Sequence, residues 1–223
     1  MNLRIKSPIP AAIAATGTLV LVLLTACGRT PALTQTSSTA LPASSGGSAP
    51  EVIVYASDLT TETLNELDFI DDTASPGGKL IGLPNNGDEL DPPPENDPHV
   101  TFKVPVHSGS PYRCWVHMKV GEPKGRSTAN VIWVQFSDSF NQANEETFRA
   151  GTESYLTAQG PEQPGWTWVG CDDESSSPLV YFGKDGEVTV RIQAGAEGVG
   201  FDQFVLSPAN FLNAPPTDAI VVK

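Results

Sequence analysis

After residue 50, apolar and polar side chains alternate with a period of two over much of the chain. The clearest run is Val188-Thr189-Val190-Arg191-Ile192, with three aliphatics to one side and two polar residues to the other. That is the pattern of a half-buried strand. The same reading predicts strands at 51–56, 79–82, 99–106, 112–120, 131–136, 146–151, 179–182, 187–193 and 199–206. Turn signals separate several of them, namely SPGG (75–78), PNNGD (84–88) and DPPPENDP (91–98). Residues 141–145 could form one helical turn, but no stretch of this part keeps a helical period. Short strands divided by turns predict an all-β fold, an antiparallel β-sandwich or jelly roll over residues 51–215, with a short tail at 216–223.

Three of these stretches carry chemistry. In GVGFDQFVLSP (198–208), strand alternation puts Asp202, Phe204 and Leu206 on one face and Phe201, Gln203 and Val205 on the other. A carboxylate heading an apolar stripe either faces water at the strand end or has a cationic partner, because an unpaired buried charge is costly. Along 112–119, Tyr112, Cys114, Val116 and Met118 alternate with Arg113, Trp115, His117 and Lys119. If this strand pairs with 132–136, Trp115 and Trp133 share a face with Arg113 and Gln135. Aromatic rings beside planar hydrogen-bonding groups suit a sugar, with its flat C–H patches and rim of hydroxyls. The competing reading packs both tryptophans under a crossing loop. PGWTWVGCDD (164–173) is glycine-rich and polar and reads as a loop at the sandwich end. Loops there are common binding positions, so Trp166 and Trp168 either touch ligand or plug the sandwich.

The start of the chain is organised differently. Arg4 and Lys6 precede an apolar run, 11–24, too short for a confident span, which reads as an export signal. It ends in Leu24-Thr25-Ala26-Cys27. This resembles the lipobox of bacterial lipoproteins, which implies cleavage before Cys27, lipid attachment there, and a protein exported and held on a membrane through acyl chains. The alternative is an ordinary signal peptide cut near Ala26. Residues 28–50, mostly Thr, Ser, Ala, Pro and Gly, read as a linker.

The net charge is −13, and the part after residue 50 is more acidic still, since Arg4, Lys6 and Arg29 are the only charges before Glu51. Such acidity argues against nucleic acid, which binds positive surfaces. It permits calcium, neutral sugars and basic partners, or serves solubility alone. The carboxylate-rich 58–97 segment does not have the ligand spacing of an EF-hand. With Cys27 lipidated, Cys114 and Cys171 remain, and export favours a disulfide between them, with a buried free thiol as the alternative. There is no G-x-S-x-G elbow, and His99, His107 and His117 lack zinc spacing. His117 reads as a surface or packing residue. These features predict a binding protein more than an enzyme, with a small hydrolase and a protein-interaction module as alternatives.

VIVYASD (52–58), PYRCWVHMK (111–119), VIWVQFSDS (131–139), FRAGTES (148–154), GWTW (165–168) and VRIQAGAEGVGFDQFVLSP (190–208) together resemble the galactose-binding-like jelly rolls of carbohydrate-binding module families 6 and 35. The resemblance implies a non-catalytic carbohydrate-binding domain. It also implies a structural Ca2+ held by an acid at the start of the last strand, matched by Asp202, with acids near the first strand. Here Glu51 precedes that strand and Asp58 follows it.

Overall fold

The computed structural model describes residues 49–173, 176 and 178–217. Cys27, the apolar run before it and most of the linker lie outside them, as does the tail beyond residue 217. Among the described residues no helix is long and apolar enough to cross a membrane. The strands are β1 (Val52–Tyr55), β2 (Leu64–Asn65), β3 (Asp68–Asp71), β4 (Lys79–Gly82), β5 (His99–Val106), β6 (Arg113–Val120), β7 (Val131–Phe136), β8 (Leu156–Gln159), β9 (Gly165–Asp172), β10 (Gly186–Ala194) and β11 (Gly200–Ser207).

All pairings between these strands are antiparallel. They form two layers. One runs β3-β4-β11-β6-β9, with β1 on β11 beyond β4, and the other runs β2-β5-β10-β7-β8. The layers join at a corner made by β9. Its residues 165–170 pair with β6, and then Cys171 and Asp172 pair with Ala158 and Thr157 of β8. At the far end β2 and β3 are consecutive in the chain, so the strand path nearly closes on itself. The turn between them holds Glu66 at φ 63°, in the left-handed region. The result is the antiparallel jelly-roll sandwich that the alternation predicts.

The core lies between the layers and takes one face of each strand. Val116 and Met118 of β6, Phe204 and Leu206 of β11, and Val190 and Ile192 of β10 are all buried in it. Phe102 and Phe204 meet edge to face across the layers, ring centroids 5.5 Å apart. Each such side chain contributes about 1.5–3 kcal/mol by leaving water.

The predicted strands at 79–82, 99–106 and 131–136 form with those bounds. The predicted strands at 146–151 and 179–182 do not. They are reduced to isolated bridges of Arg149 with Phe136, Glu146 and Tyr181 with Phe140, and Val180 with Tyr112. Phe148 (φ 52°) and Gly151 (φ 81°) leave the extended region. The Gln135 amide also captures the Arg149 carbonyl that a ladder would use, along with those of Thr152 and Ser154 just beyond. Residues 141–145 make a turn, closed by the Asn141 carboxamide accepting from the backbone N–H of Ala143 and Glu145.

Two face assignments also change. β11 carries a bulge between Phe201 and Gln203. Bulging puts two residues opposite one and resets the alternation. Phe201, Phe204 and Leu206 therefore share the core, and Asp202 leaves the apolar stripe. The segment 165–172 is a strand, so Trp166 and Trp168 sit on β9 and not on an end loop.

Candidate functional site

Two surfaces gather the side chains that could meet a ligand. The first is the outer face of the β6–β9–β11 layer. Register places Lys119 opposite Trp166, His117 opposite Trp168, and Trp115 opposite Gly170. Gly170 is required by this packing. A Cβ there would lie 2.3 Å from Nη2 of Arg113, whose guanidinium sits 5.0 Å from the Trp115 ring. Arg113 donates to the Cys171 carbonyl at 2.7 Å and pairs with Asp172 at 2.5 Å. Trp115 donates from its indole N–H to the Phe211 carbonyl, and both Arg113 and Trp115 are buried. This half of the face is packed protein.

The other half centres on His117. Its ring stacks on Trp166 with centroids 4.8 Å apart and planes 11° apart, and meets Trp168 at 4.9 Å. Its Nδ1 donates to Oδ1 of Asp202 at 2.6 Å. Asp202 is fully buried, so the partner its carboxylate demands is this imidazole, which the bulge brings within reach. Asp202 Oδ2, both amide atoms of Gln203 and the indole nitrogens of Trp166 and Trp168 find no hydrogen-bond partner in the structure. Lys119 lies 6.0 Å from the Trp166 ring and pairs with Asp72, whose carboxyl its ammonium holds below the usual aspartate range.

A calcium ion fits this donor set poorly. Calcium takes six to eight oxygens. The neighbour of Asp202 is a ring nitrogen, and Asp58 is an exposed residue ending the 3-10 turn Ala56–Asp58. Among the described residues, no three His, Cys, Asp or Glu side chains are grouped as a metal site.

Trp133 is not part of this face. The expectation that it sits beside Trp115 and Arg113 required β6 to pair with β7. Instead β7 lies in the other layer, between β10 and β8. Trp133 points outward there and packs against Tyr155, ring centroids 5.9 Å apart.

Tyr155 opens the second surface, which sequence reasoning missed. A cleft of about 830 Å³ runs beside β8, lined by Asn141, Gln142, Glu153, Tyr155, Thr157 and Asp173 among others. It continues on one side into a cleft of about 600 Å³ that shares Glu153 and Tyr155 and reaches Asp91 and Glu95. On the other side it meets a smaller one of about 270 Å³ that shares Thr157 and Asp173 and reaches Gln159, Gly170 and Asp172. The first two meet at the Tyr155 ring, and the third adjoins the first at Thr157 and Asp173, so together they outline a groove along β8. Its wall is set from beneath: the Gln135 side-chain amide, on the outer face of β7, lies 2.8–3.0 Å from the carbonyls of Arg149, Thr152 and Ser154. Arg149 is pinned in turn by Asp138 and Glu146. The sequence signal was there in LTAQ, where Leu156 and Ala158 are buried and Thr157 and Gln159 are not, with Tyr155 just before the strand, but four residues is the shortest run on which alternation can be read.

No family model and no curated protein matches the sequence. Among solved structures the chain is similar to the Podospora anserina GH26-CBM35 β-(1,4)-mannanase, with 14% identity, a TM-score of 0.46, and 75% of this chain but 29% of that chain covered. It is similar to the C-terminal CBM6 of LamC, a marine laminarinase of Zobellia galactanivorans (13% identity, TM-score 0.42, 71% of this chain and 99% of that one). A family 35 carbohydrate-binding module from Clostridium thermocellum also matches, with 14% identity, a TM-score of 0.35, and coverage of 70% and 98%. The chain thus spans less than a third of the mannanase and nearly the whole of the two isolated modules. By description the first carries, and the other two are, carbohydrate-binding modules of family 35 or 6; the jelly roll of this chain rests on its own strand pairing.

Proposed function

We propose that this protein is a non-catalytic carbohydrate-binding domain. The observation that carries the reading is the groove along β8, with Tyr155 backed by Trp133 and hydrogen-bonding side chains on both sides. A sugar offers what this groove asks for: C–H faces for the Tyr155 ring and hydroxyls for Gln142, Glu153 and Thr157. Its dimensions suit a small ligand or a few sugar units. Affinities in the millimolar to micromolar range are expected, about −4 to −8 kcal/mol.

The decisive experiment is a glycan array with the full chain, followed by titration calorimetry on any hit with Tyr155→Ala and with Trp166→Ala/Trp168→Ala. Loss of at least about tenfold in affinity for Tyr155→Ala alone supports the groove. Loss only in the double tryptophan variant moves the site to the β9 face. Turnover of a bound glycan makes the protein an enzyme, and no glycan bound at all makes it an interaction module.

The lipobox at Leu24–Cys27 supports the further reading of an exported domain anchored through Cys27 to a bacterial membrane. Incorporation of labelled palmitate that is abolished by Cys27→Ser is the expected result. Equal labelling of the variant overturns the anchor.

A further inference from the structure

Cys114 on β6 and Cys171 on β9 stand next to the paired residues Trp115 and Gly170, which makes them direct cross-strand neighbours. Both are fully buried free thiols, with Sγ atoms 2.7 Å apart. Their side chains point into the core between the layers, where the nearest sulfur partner of each is the other. Cys171 is also the residue at which β9 leaves β6 and pairs with Ala158 of β8.

We infer that Cys114 and Cys171 form a disulfide that clamps β9 at the corner between the two layers. Antiparallel neighbours bring Cβ atoms close enough for a bridge without moving the backbone. The next residue, Asp172, is held by Arg113 and lines one end of the groove, so the clamp also fixes that wall.

The chemistry balances with a disulfide oxidant of the glutathione type. One cysteine thiolate attacks the oxidant's S–S bond and releases one small thiol. The second cysteine then displaces the other. Two electrons pass from the protein sulfurs to those of the oxidant, and the two thiol protons end on the released small thiols. The step belongs to the folding chain. In the folded protein, burial and the neighbouring Cys171 thiol push the Cys114 thiol well above its ordinary pKa, which leaves little thiolate to react.

The test uses the full chain carrying Cys27→Ser, refolded with oxidised glutathione, repurified and unfolded in guanidinium. Ellman's reagent is expected to find no thiol before reduction and two afterwards, with a mass gain of about 2 Da on reduction. Two thiols before reduction overturn the proposal. Reductant is also expected to lower the Tm by more than about 5 °C, and to leave Cys27→Ser/Cys114→Ala/Cys171→Ala unmoved. An equal shift in both proteins, or in neither, overturns the clamp.

Discussion

At the scale of single residues, the pair His117–Asp202 is the point on which most turns. Asp202 has no exposed surface and one hydrogen-bonded neighbour, the His117 imidazole. Replacing His117 with Ala strips that partner from a buried carboxylate and loosens the stack on Trp166. Unfolding in urea should show a loss of about 3–5 kcal/mol, the cost of orphaning a buried ionisable group. Since the neighbour of Asp202 Oδ1 is a ring nitrogen, calcium and chelator are expected to leave the Tm unchanged. A rise of several degrees in millimolar calcium would show metal binding to the folded state. His99 makes a different prediction. It is half-buried, and burial together with the charge of Arg191 outweighs the Asp97 carbonyl and holds its pKa below the ordinary histidine value of about 6.5. The neutral ring is thus favoured in the folded protein. Its contribution is complete above about pH 6.5 and is lost as pH falls through the depressed value. Thermal melts of His99→Gln should therefore lose less stability than the parent between pH 7 and 5.

At the scale of elements, periodicity carried the strands whose two faces meet different surroundings. Val188–Ile192 of β10 alternates because one side faces the core and the other faces outward. Strand β9 escaped because neither side of GWTWVGCD is strongly apolar, and its exposure is intermediate throughout except at Cys171. β3 escaped inside an acidic stretch: DFID pairs with β4 while its two aspartates stay exposed. The bulge in β11 was beyond reach too, since GFDQF carries no residue that marks one. It alone decides whether Asp202 faces the core or His117. Of the candidate binding residues, Arg113, Trp115, Trp166 and Trp168 do share a face, though through β9 and not β7. The groove at Tyr155 depends on convergence of residues from 91–95 and 141–155 with Asp173, Ser176 and Pro178, contacts that no local pattern encodes. One interior position shows how tightly elements meet. A Cβ on Gly82 would lie 2.6 Å from the Val199 carbonyl and 3.0 Å from the Gly200 Cα, so Gly82→Ala must push β4 off β11. A cost of about 1–3 kcal/mol in denaturant unfolding is expected. Gln135→Ala, by contrast, should weaken glycan binding by releasing the 149–154 wall, without itself touching ligand.

At the scale of the whole molecule, β9 belongs to both layers. A sandwich whose sheets were joined only by loops could lose one sheet while the other persisted. Here the backbone ladder passes from β6 through β9 to β8 without a break. The β2–β3 turn links the opposite ends of the same path. Neither layer has a boundary along which it can separate first. Calorimetry should accordingly record one heat-absorption peak whose van't Hoff and calorimetric enthalpies agree. Hydrogen exchange should rank the amides of Val116 and Phe204 in one layer and Val190 in the other as opening with a common free energy, the signature of a single foldon.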